Sequence, residues 1–514
     1  MPFNSIFSWI IKKRIHQIDL FRKYPADVQE EVFRNLITTA ATTEWGEKYK
    51  YEEIDSVKTY QNRVPLQDYD DLKPYVDRLM RNEQNLLWPT EIKWFAKSSG
   101  TTSGKSKYIP VSKEALEDCH YKGGKDLLSM YYHNHPNRKL YKGKHLIIGG
   151  SSQVNLLSDN SYTGDLSAII LKNLPFWAEI RRTPKKKIAL MSDWEEKLEA
   201  MARSTIYEDV YILAGVPSWT LVLLNRILDI SKADNILEIW PNLELFMHGG
   251  VSFGPYENQF KKLIPKADMN YVETYNASEG FFGIQDLPEL NELLLMLDYG
   301  IFYEFIPMSE YKGKDSEKIL SLEEVECDVN YAIVISTNAG LWRYIVGDTV
   351  KFTSTDPYRL KVSGRTKFYI NTFGEELIVD NAEKALKVAC DRTGAELREY
   401  MAGPVFMDET GDKGAHEWLI EFSKAPDDLE FFNEVLDNAL KSINSDYEAK
   451  RSGNFILHPP IIHQLASGTF YDWMKKRGKL GGQNKVPRLN NNREHLDSLK
   501  NFCGLTKKNK KKHV

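Results

Sequence analysis

The densest chemistry in the sequence lies in residues 97–107, Lys97-Ser98-Ser99-Gly100-Thr101-Thr102-Ser103-Gly104-Lys105-Ser106-Lys107. Hydroxyls and backbone N–H groups donate to phosphate oxygens, glycines let the backbone approach an anion, and lysines offset its charge. The stretch therefore reads as a phosphate-binding loop, with a plain Gly/Ser surface loop as the alternative. A Walker A loop is excluded. That motif has four residues between its glycines and opens directly into a helix, whereas three separate Gly100 from Gly104 and Pro110 follows close behind.

Further along, residues 271–283 run from strand-like residues into Tyr275-Asn276-Ala277-Ser278-Glu279-Gly280. Beside a bound nucleotide, Tyr275 can stack a base and Glu279 can hold Mg²⁺ as a hard oxygen ligand. Gly249, Gly250 and Val251 follow a strand-like run. Two glycines there either admit a planar group or make a tight turn. Asp348 follows Gly347 at another strand end, where an aspartate serves turn chemistry or accepts two ribose hydroxyls. Lys485 lies in the glycine-rich stretch 478–488, a surface loop unless the rest of the chain gives it work.

The elements that must position these residues alternate. Apolar spacing predicts helices over 25–49 and 69–81, and Ser112 is an N-cap candidate for a helix from Lys113. Short apolar runs predict strands at 145–150, 206–213 and 243–248, with a buried helix over 219–230. Residues 331–336 and 341–346 form an expected hairpin, with a third strand at 349–353, and a helical pattern begins at Asn381. This alternation is an α/β architecture. We place a domain boundary near residue 366, giving a large domain 1–366 and a smaller one 367–514.

Composition narrows the function classes. With 514 residues, 42% hydrophobic and 27% charged, the chain can build a core that encloses a substrate. A net charge of -4 does not suggest a nucleic-acid binder, although residues 507–512 form a basic tail. The four cysteines lie far apart without CxxC spacing, which points to reduced thiols and the cytoplasm. The apolar run 3–11 is too short to span a bilayer and reads as an amphipathic helix packed on the body. His133 and His135 have weak metal-pair spacing in a Tyr/Asn/Pro context.

Four stretches occur in the order seen in the adenylate-forming superfamily: the loop 98–107, Tyr275-Asn-Ala-Ser-Glu279, Tyr344-Ile-Val-Gly347-Asp348 and Gly364-Arg365-Thr-Lys367. Together with Ala277-Ser-Glu-Gly-Phe-Phe-Gly-Ile284 and Gln483-Asn-Lys485-Val-Pro487-Arg488, the chain resembles the Gretchen Hagen family of auxin-responsive acyl-acid amido synthetases. The resemblance implies a large α/β domain with mixed sheets and a β-barrel-like subdomain, plus a smaller mobile C-terminal α+β domain.

It also implies an ATP- and Mg²⁺-dependent ligase that adenylates a small carboxylic acid and passes the acyl group to an amine, with an acyl-CoA ligase or a non-catalytic nucleotide-binding protein as alternatives. On this resemblance Ser98, Ser99, Gly100, Thr101, Thr102 and Lys107 would grip the ATP phosphates. Gly249, Gly250 and Val251 would flank adenine, with Tyr275, Asn276, Ala277 and Ser278 at its border. Glu279 would bind Mg²⁺, Asp348 the ribose hydroxyls, and Arg365 would assist. Lys367 would sit at the hinge, and Lys485 would reach the α-phosphate and the acyl carboxylate. Asn276 departs from the usual glycine or small residue. Residues 370–375 look more like the acyl-CoA synthetase hinge.

Overall fold

The computed structural model of the chain describes all residues except 1, 99–106, 139–141, 150–154, 159, 175, 192, 251–252, 367–368, 371–374, 376, 406–413, 452–456, 481–484, 491–492 and 506–514. By their contacts the residues form two compact units, Met1–Val251 with Lys261–Val362, and Ser252–Phe260 with Ser363–Val514.

The first unit is built on a mixed sheet of eleven strands. In spatial order these are Ile301–Pro307, Asn330–Thr337, Tyr344–Thr355, Tyr358–Arg365, Leu293–Leu295, Gly280–Ile284, Asn270–Ala277, Leu245–Gly249, Val210–Gly215, Lys144–Ile147 and Arg182–Thr183. The last five pair in parallel. Their connections carry helices, among them Pro217–Ser231, whose Leu221, Leu223, Leu224 and Ile227 are buried as the apolar run requires. The strands Ile301–Pro307 and Asn330–Thr337 are almost wholly buried, which is why their sequences read as continuous apolar runs.

Helix ends follow the local chemistry. Asp68 accepts from the backbone N–H groups of Asp70 and Asp71 and completes a capping box at the head of Tyr69–Met80. Ser112 Oγ accepts from Ala115 N at 2.9 Å, as the N-cap reading expects, and donates to the Asn338 carbonyl at 2.7 Å. The helical turns after it pass through a π-helical stretch, Ala115–His120, before the α-helix Tyr121–Asn134. The N-terminal helix Pro2–Lys23 is fixed by Arg14, which bridges Asp126 and Asp298. In the interior, Arg343 forms a buried ion pair with Glu304 and donates to the carbonyls of Gln61 and Val64, tying the helix Val57–Arg63 to the sheet.

One sequence expectation is corrected. The hairpin 331–346 and the separate strand 349–353 are in fact Asn330–Thr337 paired with one long strand, Tyr344–Thr355. Gly347 takes φ +89 and the register shifts between Ala332 and Val334, so the strand kinks at Gly347 and continues.

In the second unit, Glu396–Val405 and Ala415–Lys424 pair antiparallel and Ile461–Leu465 joins in parallel. Helices Val379–Thr393 and Leu429–Ile443 pack together and share a buried cluster with Tyr400, Trp418 and Ile420 of that sheet. No helix among the described residues is long and apolar enough to cross a membrane.

Candidate active site

Adjacent parallel strands end in glycines at one edge of the sheet. Gly149 follows Lys144–Ile147, Gly215 ends Val210–Gly215, and Gly249 ends Leu245–Gly249. The next parallel strand, Asn270–Ala277, ends at Ser278 and Glu279. Ligands in open α/β sheets bind outside the carboxyl ends of such strands. Gly249 cannot be replaced freely: a Cβ there would lie 2.3 Å from the Thr274 carbonyl oxygen, and Thr274 Oγ1 donates to the His248 carbonyl. Gly250 has φ +82, the left-handed region that glycine enters without strain.

Lys107 opens the strand Lys107–Val111, where it pairs with Ser98 of Trp94–Ser98. Residues 99–106, which include Ser99, Gly100, Thr101 and Thr102, lie outside the described residues, as do Val251 and Lys367, and only the backbone of Ser98 is described. Lys107 Nζ lies 3.4 Å from Tyr344 Oη and faces the rings of Tyr69 and Tyr344 at 5.7 and 5.9 Å. Tyr69 is itself held by Tyr108 N, which donates to its hydroxyl. The Tyr344 hydroxyl and the Tyr69 ring thus both lie beside the ammonium.

Four residues beyond Tyr344 on the same strand, about 13 Å at strand rise, stands Asp348. Its Oδ2 accepts from the Tyr275 hydroxyl at 2.8 Å. The strands that carry these two residues are four steps apart in the sheet order. On a flat sheet they would be roughly 19 Å apart. The contact requires the sheet to curl at this point, so that two motifs separated by 73 residues meet. Tyr275 is 7% exposed and packs on Phe282 with ring centroids 4.8 Å apart. Its ring belongs to the core, and its hydroxyl is the part that acts on Asp348.

Glu279 sits half-buried at the tip of the hairpin formed by Asn270–Ala277 and Gly280–Ile284, with Ala277 opposite Gly280. The hairpin is braced from residues 112–134. His120 Nδ1 donates to Asn276 Oδ1 at 3.2 Å, Phe281 N donates to Cys119 Sγ, and Gly123 lies under the Phe281 ring. Burial pushes the His120 imidazole down to about 4, with the Asn276 hydrogen bond opposing, so the ring is neutral at pH 7. Burial likewise pushes His248, the residue before Gly249, down to about 3.

Sequence reasoning missed Tyr69 and His120, because their partners are 39 and 156 residues away and no local spacing announces them. It also passed over Gly250-Val-Ser252-Phe-Gly254, which has the G-x-S-x-G spacing of a nucleophile turn. Ser252 lies outside the described residues.

A carboxylate at a hairpin tip suits Mg²⁺, which is commonly held by one or two carboxylates together with substrate phosphates. Glu279 fits that donor set. The described residues contain no cluster of three or more metal-ligating side chains. Arg365 is the half-buried last residue of Tyr358–Arg365, and Lys485, in the second unit, is exposed on an irregular stretch.

The family follows from comparison with known proteins. Residues 14–269 match the GH3 family N-terminal domain, 294–365 the GH3 family central domain and 380–494 the GH3 family C-terminal domain, and the chain belongs to the GH3 family.

It is 23% identical over 536 residues to the indole-3-acetic acid-amido synthetase GH3.3 of Arabidopsis thaliana, covering 90% of this chain and 89% of that one. It is 24% identical over 560 residues to the jasmonoyl-L-amino acid synthetase GH3.5 of Oryza sativa subsp. japonica, covering 93% and 95%. A solved GH3.15 acyl acid amido synthetase has the same fold, with a TM-score of 0.75 at 18% identity over 92% of this chain and 93% of that one.

Proposed function

We propose that the chain is an ATP- and Mg²⁺-dependent acyl acid amido synthetase of the cytoplasm, acting on a small carboxylic acid and an amino acid. The observation that carries the site is the Tyr275–Asp348 contact, which joins two distant motifs beside the strand-end glycines. Domain 1–366 would bind ATP and the acid, and domain 367–514 would move on the hinge at Lys367.

In the first half-reaction a carboxylate oxygen attacks the α-phosphorus, the bond to the β-phosphate oxygen breaks, and pyrophosphate leaves. Both reactants are anions, so positive charge must neutralise them before they can meet. Lys107 supplies charge at the β- and γ-phosphates beside Ser98, Ser99, Gly100, Thr101 and Thr102. Asp348 accepts from the ribose hydroxyls, with Arg365 assisting. Gly249, Gly250 and Val251 leave room for the adenine plane, bordered by Asn276, Ala277 and Ser278. Mg²⁺ held by Glu279 would draw charge off the phosphates. Lys485 steadies the α-phosphate and the incoming carboxylate. In the second half-reaction the amine nitrogen attacks the acyl carbon, AMP leaves with the mixed-anhydride oxygen, and the amine gives up a proton. No enzyme nucleophile is consumed.

The test is pyrophosphate exchange into ATP across a panel of carboxylic acids. At least one acid supports exchange, and Lys485→Ala lowers it about a hundredfold. Absence of exchange with every acid refutes the reading. Acyl-adenylate offered to an amino-acid mixture or to coenzyme A, with products identified by mass, yields the amide; a thioester instead would make the chain an acyl-CoA ligase.

A further inference from the structure

The proposed role of Lys485 raises a physical question, because it stands exposed on an irregular stretch and must still be aimed at the reacting atoms. Three residues on, Arg488 is 8% exposed. Its Nη1 donates to Glu383 at 2.7 Å, its Nε to Glu399 at 2.9 Å and its Nη2 to the Tyr256 hydroxyl at 2.5 Å. The guanidinium also lies over the ring of Tyr400, 5.2 Å from its centroid. These partners come from the helix Val379–Thr393, the strand Glu396–Val405 and the segment Ser252–Phe260.

The backbone is fixed at the same point. Ala402 N donates to the Arg488 carbonyl at 2.7 Å, Asn490 N donates to the Ala402 carbonyl at 3.2 Å, and Leu489 bridges Ala402 in parallel. Residues 488–490 thereby extend the free edge of Glu396–Val405.

Closing a sheet edge does not call for a buried guanidinium. Desolvating it is costly, and apolar residues of similar volume often serve as well. What the planar fork adds is direction, since it fixes one orientation against several acceptors. The arm between Arg488 and Lys485 can transmit that orientation. Pro487 locks its own φ and holds Val486 extended, Val486 packs against a buried cluster with Trp473 and Leu496, and three residues reach at most about 10 Å.

We infer that Arg488 is a positioning residue for Lys485, holding its loop through the Val486-Pro487 arm with Glu383, Glu399 and Tyr256 as the fixed points. The inference rests on the role proposed for Lys485 above.

The test is a double-mutant cycle on the full chain, read by pyrophosphate exchange at saturating acid. Arg488→Lys keeps the charge between the two carboxylates but loses the fork. It is expected to lower the exchange kcat ten- to a hundredfold, leave KM for ATP within about twofold, and leave amide formation from pre-formed acyl-adenylate unchanged. Tyr256→Phe, which removes a single hydroxyl, lowers exchange a few-fold. Added to Lys485→Ala, either change slows the residual exchange no further.

Full exchange activity in both variants overturns the inference, and so does an equal fractional loss on the Lys485→Ala background. If Arg488→Lys does not fold, the Tyr256→Phe cycle decides by the same criterion. Undiminished exchange in Lys485→Ala alone would instead defeat the reading of Lys485 itself.

Discussion

At the scale of single residues, the acidic group proposed for the ribose is already engaged. Asp348 accepts from the Tyr275 hydroxyl, and Tyr275 is anchored in the core. Tyr275 therefore helps to orient that carboxylate at the edge of the site. Tyr275→Phe keeps the ring and removes that restraint. A hydrogen bond of this kind contributes about 1 kcal/mol net, so KM for ATP is expected to rise about fivefold while the thermal midpoint barely moves. Unchanged nucleotide affinity would mean that Asp348 is oriented without Tyr275. The aspartate was legible in the sequence because it follows Gly347 in a recognisable run. Its tyrosine partner was legible only as an aromatic, which the fold packs against Phe282.

At the scale of elements, the hairpin that carries Glu279 depends on the helix beneath it. Two neighbouring glycines of Tyr121–Asn134 distinguish packing from propensity. A Cβ at Gly123 would lie 2.6 Å from the Phe281 ring, whereas a Cβ at Gly124 meets nothing within 4 Å. Gly123→Ala is expected to destabilise by about 2 kcal/mol through overpacking and to lower activity by displacing the hairpin. Gly124→Ala should stabilise by about 1 kcal/mol from helix propensity alone. Urea unfolding of the pair checks both signs, and equal effects would show that the helix does not bear on the hairpin. The sequence placed the start of this helical segment from Ser112 as its N-cap, but the two glycines look alike in one dimension.

At the scale of the whole molecule, buried neutral histidines couple stability to pH. The His120 pKa falls to about 4 and the His248 pKa to about 3, both through burial. Both lie below the unfolded value of about 6.5. Between that value and the depressed one the unfolded chain binds protons that the native state refuses, so stability is full above about pH 6.5 and is lost as pH falls. Each histidine contributes a slope of about 1.4 kcal/mol per pH unit in this window. Urea midpoints at pH 7, 6 and 5 should fall progressively, and His120→Gln should flatten the decline. An identical slope in that variant would remove His120 as a source.

The amino-acid sequence alone determined the chemistry on offer: a loop rich in glycine, hydroxyls and lysine, a carboxylate after a strand, an aspartate after Gly347, and the alternation that makes an α/β chain. Those features are local, since spacing, turn residues and apolar period are set by neighbours along the chain. Only the tertiary structure decided which of them meet. The curl that carries Tyr275 to Asp348, the pairing of His120 with Asn276 and the burial of Arg488 between Glu383, Glu399 and Tyr256 depend on strand order and packing. Contacts across 73, 156 and 105 residues leave no periodic trace in the sequence.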